Sequence, residues 1–294
     1  MKDEVLSSPI RWAGSKKRVL NDMLESFKRD KENYIEPFLG SGVVMINVLN
    51  NNVETLHYKN IYVNDINGNI VDFYKMLKSK PKKLINDLIE LSDKYNDMDN
   101  EDKEKMYYEI RDRFNNFEEN KSVYFYFLMK VGFNGVYREN KSGKFNVPFG
   151  RKEKFIVQEA SLLTISKLIK NVHFYNLSYD KFLDKLSKKG ILNDSFMYCD
   201  PPYIPDDKLV SQKQELYTSG NFNHYDFVEK LKSFSQSNII ISMSESTKAK
   251  KIYGKSFITK NLTDIIRTIN PQKLFKSKEI LFLNYDENEW FLGT

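Results

Sequence analysis

Three places in the chain combine residue types that could do chemistry. The first is the run Asp200, Pro201, Pro202 and Tyr203 in "MYCDPPYIP", which follows the apolar stretch Phe196 to Cys199. That stretch reads as a buried strand, so a carboxylate stands at a strand end, before two residues of fixed φ and an aromatic ring. Two prolines end a strand by themselves, because neither donates to a sheet ladder. The acid and the ring beside them are more than a stop requires. The second place is "EPFLGSG", where Gly40 and Gly42 close a short strand just before a helical segment. Glycine there turns tightly and lets a ligand approach the backbone without meeting a Cβ. The third is Asp65, at the end of the strand-like "IYVND". An acid about twenty residues after such a turn can accept from both ribose hydroxyls of an adenosine-containing cofactor. The competing assignment is a helix N-cap, since "NDIN" precedes an apolar helix.

A complete GxGxxG is absent, because Val43, Val44 and Met45 follow Gly42, and no GxxxxGK[ST] occurs. S-adenosylmethionine is the adenosine-type cofactor left to consider. Methyl transfer to the exocyclic amine of a nucleobase would use every part of "DPPY". That nitrogen is a poor nucleophile, since its lone pair is delocalised into the ring. It needs acceptors that hold both amine hydrogens while it becomes tetrahedral and attacks the sulfonium methyl. Asp200 offers one acceptor, and a carbonyl of Pro201 or Pro202 offers another in a direction fixed by the rings. Tyr203 offers a flat surface for a base turned out of its stack.

Such residues need strand ends that lie side by side. Strand signals occur at "NYIEPF" (33–38), "IYVND" (61–65), "VHFYN" (172–176), "SFMYC" (195–199), "NIIISMS" (238–244) and "EILFLNY" (279–285). "VVMINVLNN" (43–51) has helical spacing, and helical segments alternating with strands favour a mostly parallel, doubly wound α/β sheet. Ligands bind such sheets beyond the carboxyl ends of the strands, near the switch point. From about 70 to 130 the pattern becomes charged helices, punctuated by Pro81 and by an acidic loop, "YNDMDNED". A Gly- and Asn-rich patch follows at 131–151, so the block at 70–155 is expected as a lobe seated on the sheet.

Composition sets the outer limits. The 294 residues are 40% hydrophobic and 14% aromatic, ample for one large α/β domain with an insertion, or for two domains. There is no run of about 18 apolar residues and no apolar leader, so neither a membrane span nor secretion is expected. The single cysteine, Cys199, excludes a disulfide framework. With His57, His173 and His224 scattered, no metal site is expected. A net charge of +6 suits a polyanion partner without requiring one.

Four blocks, "IRWAGSK", "EPFLGSG" with "YVNDIN", "GFNGVYRENKSGKFNVPFGR" and "YCDPPY", stand in the order found in the Dam-type, D12-class DNA adenine-N6 methyltransferases. The chain resembles that family from residue 9 to residue 285. The resemblance implies a Rossmann-like, mostly parallel seven-stranded sheet. Residues 1–69 and 156–294 would form the S-adenosylmethionine-binding catalytic domain, and 70–155 an inserted target-recognition lobe of helices and a hairpin loop. The implied reaction is methyl transfer to N6 of adenine in double-stranded DNA, within GATC, by base flipping and direct in-line transfer. Asp200, Pro201, Pro202 and Tyr203 would be catalytic. Trp12, Lys16, Phe38, Gly40, Gly42 and Asp65, with Asp200, would bind the cofactor. Phe133 and Asn134 would fill the space left by the flipped base. Val136, Arg138 and Pro148 would read the rest of the site, Arg11 a flanking guanine, and Arg151 would grip phosphate. The pairings suit the chemistry, since arginine bonds bidentately to guanine and valine or proline touches a thymine methyl. A cognate restriction endonuclease is a partner the family allows, and the enzyme would reside with the host or viral DNA.

The chain departs from the family in places. Ser15 replaces a common glycine, Val136 is smaller than the usual leucine, and the loop at Pro271 differs although Arg267 fits. The polar segment 206–227 is expected to order over the flipped base. Two other functions stay open on the residues alone. "DPPY" suits any exocyclic amine, so cytosine-N4 or RNA methylation is one. A catalytically silent nucleic-acid-binding protein of the same fold is the other.

Overall fold

The computed structural model describes residues 5–12, 14, 16–51, 56–204, 222–270 and 273–287, with residues 263–270 and 273–277 described by their backbone. One sheet is built from β1 (Asn33–Glu36), β2 (Asn60–Asn64), β3 (Val172–Tyr175), β4 (Ser195–Cys199), β5 (Asn238–Ser244), β6 (Ile258–Asn270) and β7 (Lys273–Leu283). Their order is β3-β2-β1-β4-β5-β7-β6. β1 to β5 pair in parallel, and β7 runs antiparallel to β5 and β6. Six strands lie at the expected apolar runs. β6 has no such run, because "ITKNLTDIIRTIN" mixes Asn, Asp and Lys into its alternation and strands are depleted in those residues. Its long pairing with β7 holds it at the sheet edge, and β7 itself begins at Lys273 rather than Glu279.

The helices are α1 (Leu20–Leu24), α2 (Val43–Asn51), α3 (Gly68–Ser79), α4 (Pro81–Asn96), α5 (Asn100–Asn116), α6 (Lys121–Val131), α7 (Glu159–Leu168), α8 (Tyr179–Ser187), α9 (His224–Lys232) and α10 (Thr247–Tyr253). Pro81 opens α4 at its first position, where an amide hydrogen would have no helical partner. The expected acidic loop shrinks to 97–99. Tyr95 and Asn96 complete α4, and Asp99 caps α5 by accepting from the Asp102 amide. None of the described helices is long and apolar enough to cross a membrane.

Strand residues feed two apolar layers in alternation. On β4, Phe196 and Tyr198 join the layer built by α2, α3 and α7, while Met197 and Cys199 face α8, α9 and α10. The first layer continues through α4, α5 and α6 to Phe145 and Phe155, so residues 70–155 share the core of the sheet. β1 and β4 are neighbours, yet the chain leaves β1 toward β2 and β3 on one side and resumes at β4 on the other. Their carboxyl ends carry the glycine turn and the Asp200 run. The crevice of the switch point therefore opens between those two motifs.

Candidate active site

The glycine turn is demanded by conformation and by space. Gly40 and Gly42 have φ of +51° and +73°. A Cβ on Gly42 would lie 2.5 Å from the Tyr74 hydroxyl, which itself donates to the Ser41 carbonyl. A Cβ on Gly40 would come within 3.3 Å of the Trp12 ring, which lies along the turn. Asp65 follows β2, the strand beside β1. Its Oδ2 accepts the Gly40 N–H and its Oδ1 the Asn67 N–H, both at 2.8 Å. Burial pushes the carboxyl's pKa up, while the amides of Asn67, Gly40 and Ile66 favour the ionised form. The capping role considered for Asp65 belongs to Asn67, whose side chain accepts from the Asn69 amide. Asp65 braces the glycine turn instead.

Asp200 meets a lysine from 184 residues away. The Lys16 Nζ lies 2.5 Å from Asp200 Oδ2 and donates to the Gly14 carbonyl at 3.0 Å. It also stands 3.8 Å from Glu279 Oε1 and 4.9 Å from the centre of the Tyr203 ring. Lys16 is only 2% exposed. Burial alone would lower its pKa, but Asp200, Tyr203 and Glu279 outweigh burial and hold the ammonium above its ordinary value. The catalytic candidate thus faces a permanent cation. Pro201 is buried, Pro202 exposed and Tyr203 half-buried.

Trp12, Lys16, Phe38, Gly40 and Asp200 line one open cleft, together with Glu36 and Tyr198. The last two sit inside strand signals, where a side chain's neighbours cannot be read. Glu36 is buried and accepts from the Tyr34 hydroxyl at 2.8 Å, and burial pushes its pKa well up. The Tyr198 hydroxyl is fully buried and has no hydrogen-bond partner among the described residues. Such an orphan costs about 1–3 kcal/mol unless a ligand or water meets it. Ile66, directly after Asp65, is 73% exposed and offers an apolar face there.

The patch at 131–151 is a hairpin, with Gly132 bridged to Phe149 and Glu139 to Phe145. α5 holds its backbone. Tyr107 and Arg111 donate to the Val147 carbonyl at 3.0 and 3.1 Å, and Asn115 exchanges two bonds with Phe145. These three lie four residues apart on one helix face, a spacing that in sequence reads as a solvated polar stripe. Phe145, Val147 and Phe149 point into the core. Phe133, Asn134, Val136, Pro148 and Arg151 stay exposed. The half-buried Arg138 donates from Nε to Asn146 Oδ1 at 2.6 Å and from Nη2 to the Asn146 carbonyl at 2.9 Å. Tyr137 stacks on Trp12 with ring centres 5.3 Å apart, tying the hairpin to the cleft. The exposed Arg11 packs beside Gly135, where a Cβ would lie 2.6 Å from its Cδ. Residues 206–221 and Pro271 lie outside the described residues, Arg267 is described by backbone alone, and His224 to Phe227 begin α9.

A sequence model of the D12 class N6 adenine-specific DNA methyltransferase family matches residues 12–269. The Type II methyltransferase M.MjaIII of Methanocaldococcus jannaschii is 33% identical, over 94% of this chain and 98% of its own. The DNA adenine methylase of Vibrio cholerae serotype O1 is 28% identical over 92% of each chain. That of Escherichia coli K12 is 30% identical over 67% of this chain and 64% of its own.

Proposed function

The chain belongs to the D12 class of N6 adenine-specific DNA methyltransferases, and from that premise we propose that it methylates adenine within GATC in duplex DNA, using S-adenosylmethionine and a base turned out of the helix. The observation that carries this reading is the meeting of two strand ends. Asp200 and Lys16 line the same cleft as the Gly40 turn, and Asp65 is bonded to that turn. When bound, S-adenosylmethionine supplies an electrophilic methyl on a positively charged sulfur. The residues fit it: a turn that bars side chains, a braced acid for the ribose, apolar surfaces at Trp12, Phe38 and Ile66, and the orphaned Tyr198 hydroxyl.

Asp200 would accept one hydrogen of the adenine amine and a carbonyl of Pro201 or Pro202 the other, freeing the nitrogen lone pair from the ring. Tyr203 would carry the face of the base. Lys16, held also by the Gly14 carbonyl, keeps the Asp200 carboxylate in one direction. Residues 70–155 would serve as the recognition lobe. Phe133 and Asn134 would occupy the gap in the duplex, Val136 and Pro148 would touch thymine, and Arg11 and Arg138 would read guanine. Asn146 sets the plane of the Arg138 guanidinium, and Arg151 would grip phosphate.

The test is transfer of labelled methyl from S-adenosylmethionine to duplexes carrying GATC and to duplexes altered at each position, followed by nucleoside analysis. N6-methyladenine confined to GATC duplexes is expected. N4-methylcytosine, or preference for RNA, refutes the substrate. Equal methylation of duplexes lacking GATC refutes the recognition assignment alone.

A further inference from the structure

We propose that Glu279 is a positioning residue for methyl transfer, acting on the catalytic run through the hydroxyl of Tyr203. The inference rests on reading Asp200 to Tyr203 as the reacting site. Glu279 lies on β7 opposite Ser244 of β5 and is fully buried. A carboxylate in that position must be hydrogen-bonded or paired. Its Oε1 accepts the hydroxyls of Tyr203 and Ser242, each at 2.6 Å, and stands 3.8 Å from the Lys16 Nζ. One oxygen therefore gathers two hydroxyl donors and faces a cation.

The geometry gives that oxygen a task. Pro201 and Pro202 stiffen the backbone between Asp200 and Tyr203, but they do not set the plane of the Tyr203 ring. The ring turns about two side-chain bonds, and the hydroxyl is the end by which it can be held. Glu279 grips that end, while Lys16 lies over the ring and bonds Asp200. Ring and carboxylate, the two groups that must meet the same base, are thereby referred to one Lys16–Glu279 pair. Ser242 fixes the carboxylate from the neighbouring strand. A base resting on a tilted ring would present its amine to Asp200 at the wrong angle, and misplacement of that kind slows the chemical step rather than weakening binding.

The experiment compares wild type, Glu279→Gln, Glu279→Ala, Tyr203→Phe and the Tyr203→Phe/Glu279→Ala double variant in single-turnover methyl transfer. Binding of S-adenosylhomocysteine and thermal melting are measured alongside. Glu279→Ala and Tyr203→Phe should each slow the transfer step by about 10-fold with cofactor-product affinity retained. Glu279→Gln keeps an acceptor of the same reach and should recover most of the rate lost in Glu279→Ala. The double variant should be about as slow as the slower single, not slower by the product of about 100-fold expected of independent sites. Three results overturn the proposal: a wild-type transfer rate in Glu279→Ala whatever its melting temperature, losses that multiply, or a glutamine variant as slow as the alanine. Should Glu279→Ala not fold, the same cycle run with Glu279→Asp, which keeps the charge but draws the carboxylate back from the Tyr203 hydroxyl by one methylene, decides the matter by whether its loss and that of Tyr203→Phe multiply. A wild-type protein that forms no N6-methyladenine sinks the underlying reading instead, before any variant is compared.

Discussion

Replacing Asp65 by asparagine changes almost no volume, yet it should damage both the glycine turn and cofactor binding. Both carboxylate oxygens accept backbone N–H groups, Oδ2 from Gly40 and Oδ1 from Asn67, each at 2.8 Å. Asparagine presents one oxygen and one NH2 group. Whichever way the amide is turned, its NH2 faces one of those N–H donors, and flipping it only changes which one. Losing that partner in a buried place costs about 1–3 kcal/mol. Asp65 is 8% exposed, so water reaches the site poorly and the upper part of the range applies. At about 2–3 kcal/mol, with roughly 2.1 cal/mol/K of unfolding entropy per residue over 294 residues, the melting temperature should fall by about 3–5 °C. Cofactor affinity should fall by a further 1.5–3 kcal/mol or so, about 10- to 150-fold in Kd, as charge-assisted bonds to the ribose are lost. Asp65→Ala should melt no lower than Asp65→Asn, because the vacated space admits water to both amides and no NH2 opposes them. Calorimetric melting without ligand and titration with S-adenosylhomocysteine read the two effects separately. An Asp65→Asn protein melting within about 1 °C of wild type refutes the bracing account. Unchanged cofactor affinity removes Asp65 from the cofactor site.

Asp200→Ala should reduce methyl transfer by about 10²-fold or more while duplex affinity changes little, and a variant of near wild-type rate would remove Asp200 from the catalytic role. Arg138→Ala should cost about 1–3 kcal/mol on a GATC duplex and relax discrimination at one base pair. Arg151→Ala should weaken all duplexes alike and lower the salt slope by about one; isotherms over several salt concentrations and altered duplexes separate the two, and equal behaviour refutes the division. Burial lowers His224 from 6.5 to about 4, so the unfolded chain binds more protons between those values and stability is lost as pH falls through that window. His224→Asn leaves a possible partner for the Tyr253 hydroxyl, 2.6 Å from His224 Nδ1, and should flatten the pH dependence of the denaturation midpoint between about 4 and 6.5. An unchanged slope places that titration elsewhere.

What depends on near neighbours was legible in the chain itself. β1, β2, β4 and β5 stand where the apolar runs put them, because a parallel strand covered on both faces has to be apolar along its length. The turn at Gly40 and Gly42 was legible because its φ and its lack of room for a Cβ are local demands. "NDIN" shows where that legibility ends. It holds two side chains able to cap α3, and Asn67 takes the cap because Asp65 is drawn toward Gly40 by the pairing of β1 with β2. Lys16, one of two adjacent lysines, is singled out in the sequence only by the family resemblance; its burial against Asp200 comes from the fold. Glu279 carries no signal beyond being an acid at the head of an apolar run. Sheet order brings residues 16, 200 and 279 together, and the antiparallel entry of β7 between β5 and β6 lets Glu279 meet Ser242 and Tyr203. The physical reason is one of range. Torsional sterics and hydrophobic period act over a few residues, so a short window of sequence contains them. A buried charge must find a partner, and which partner it finds is decided by strands whose sequence positions lie far apart.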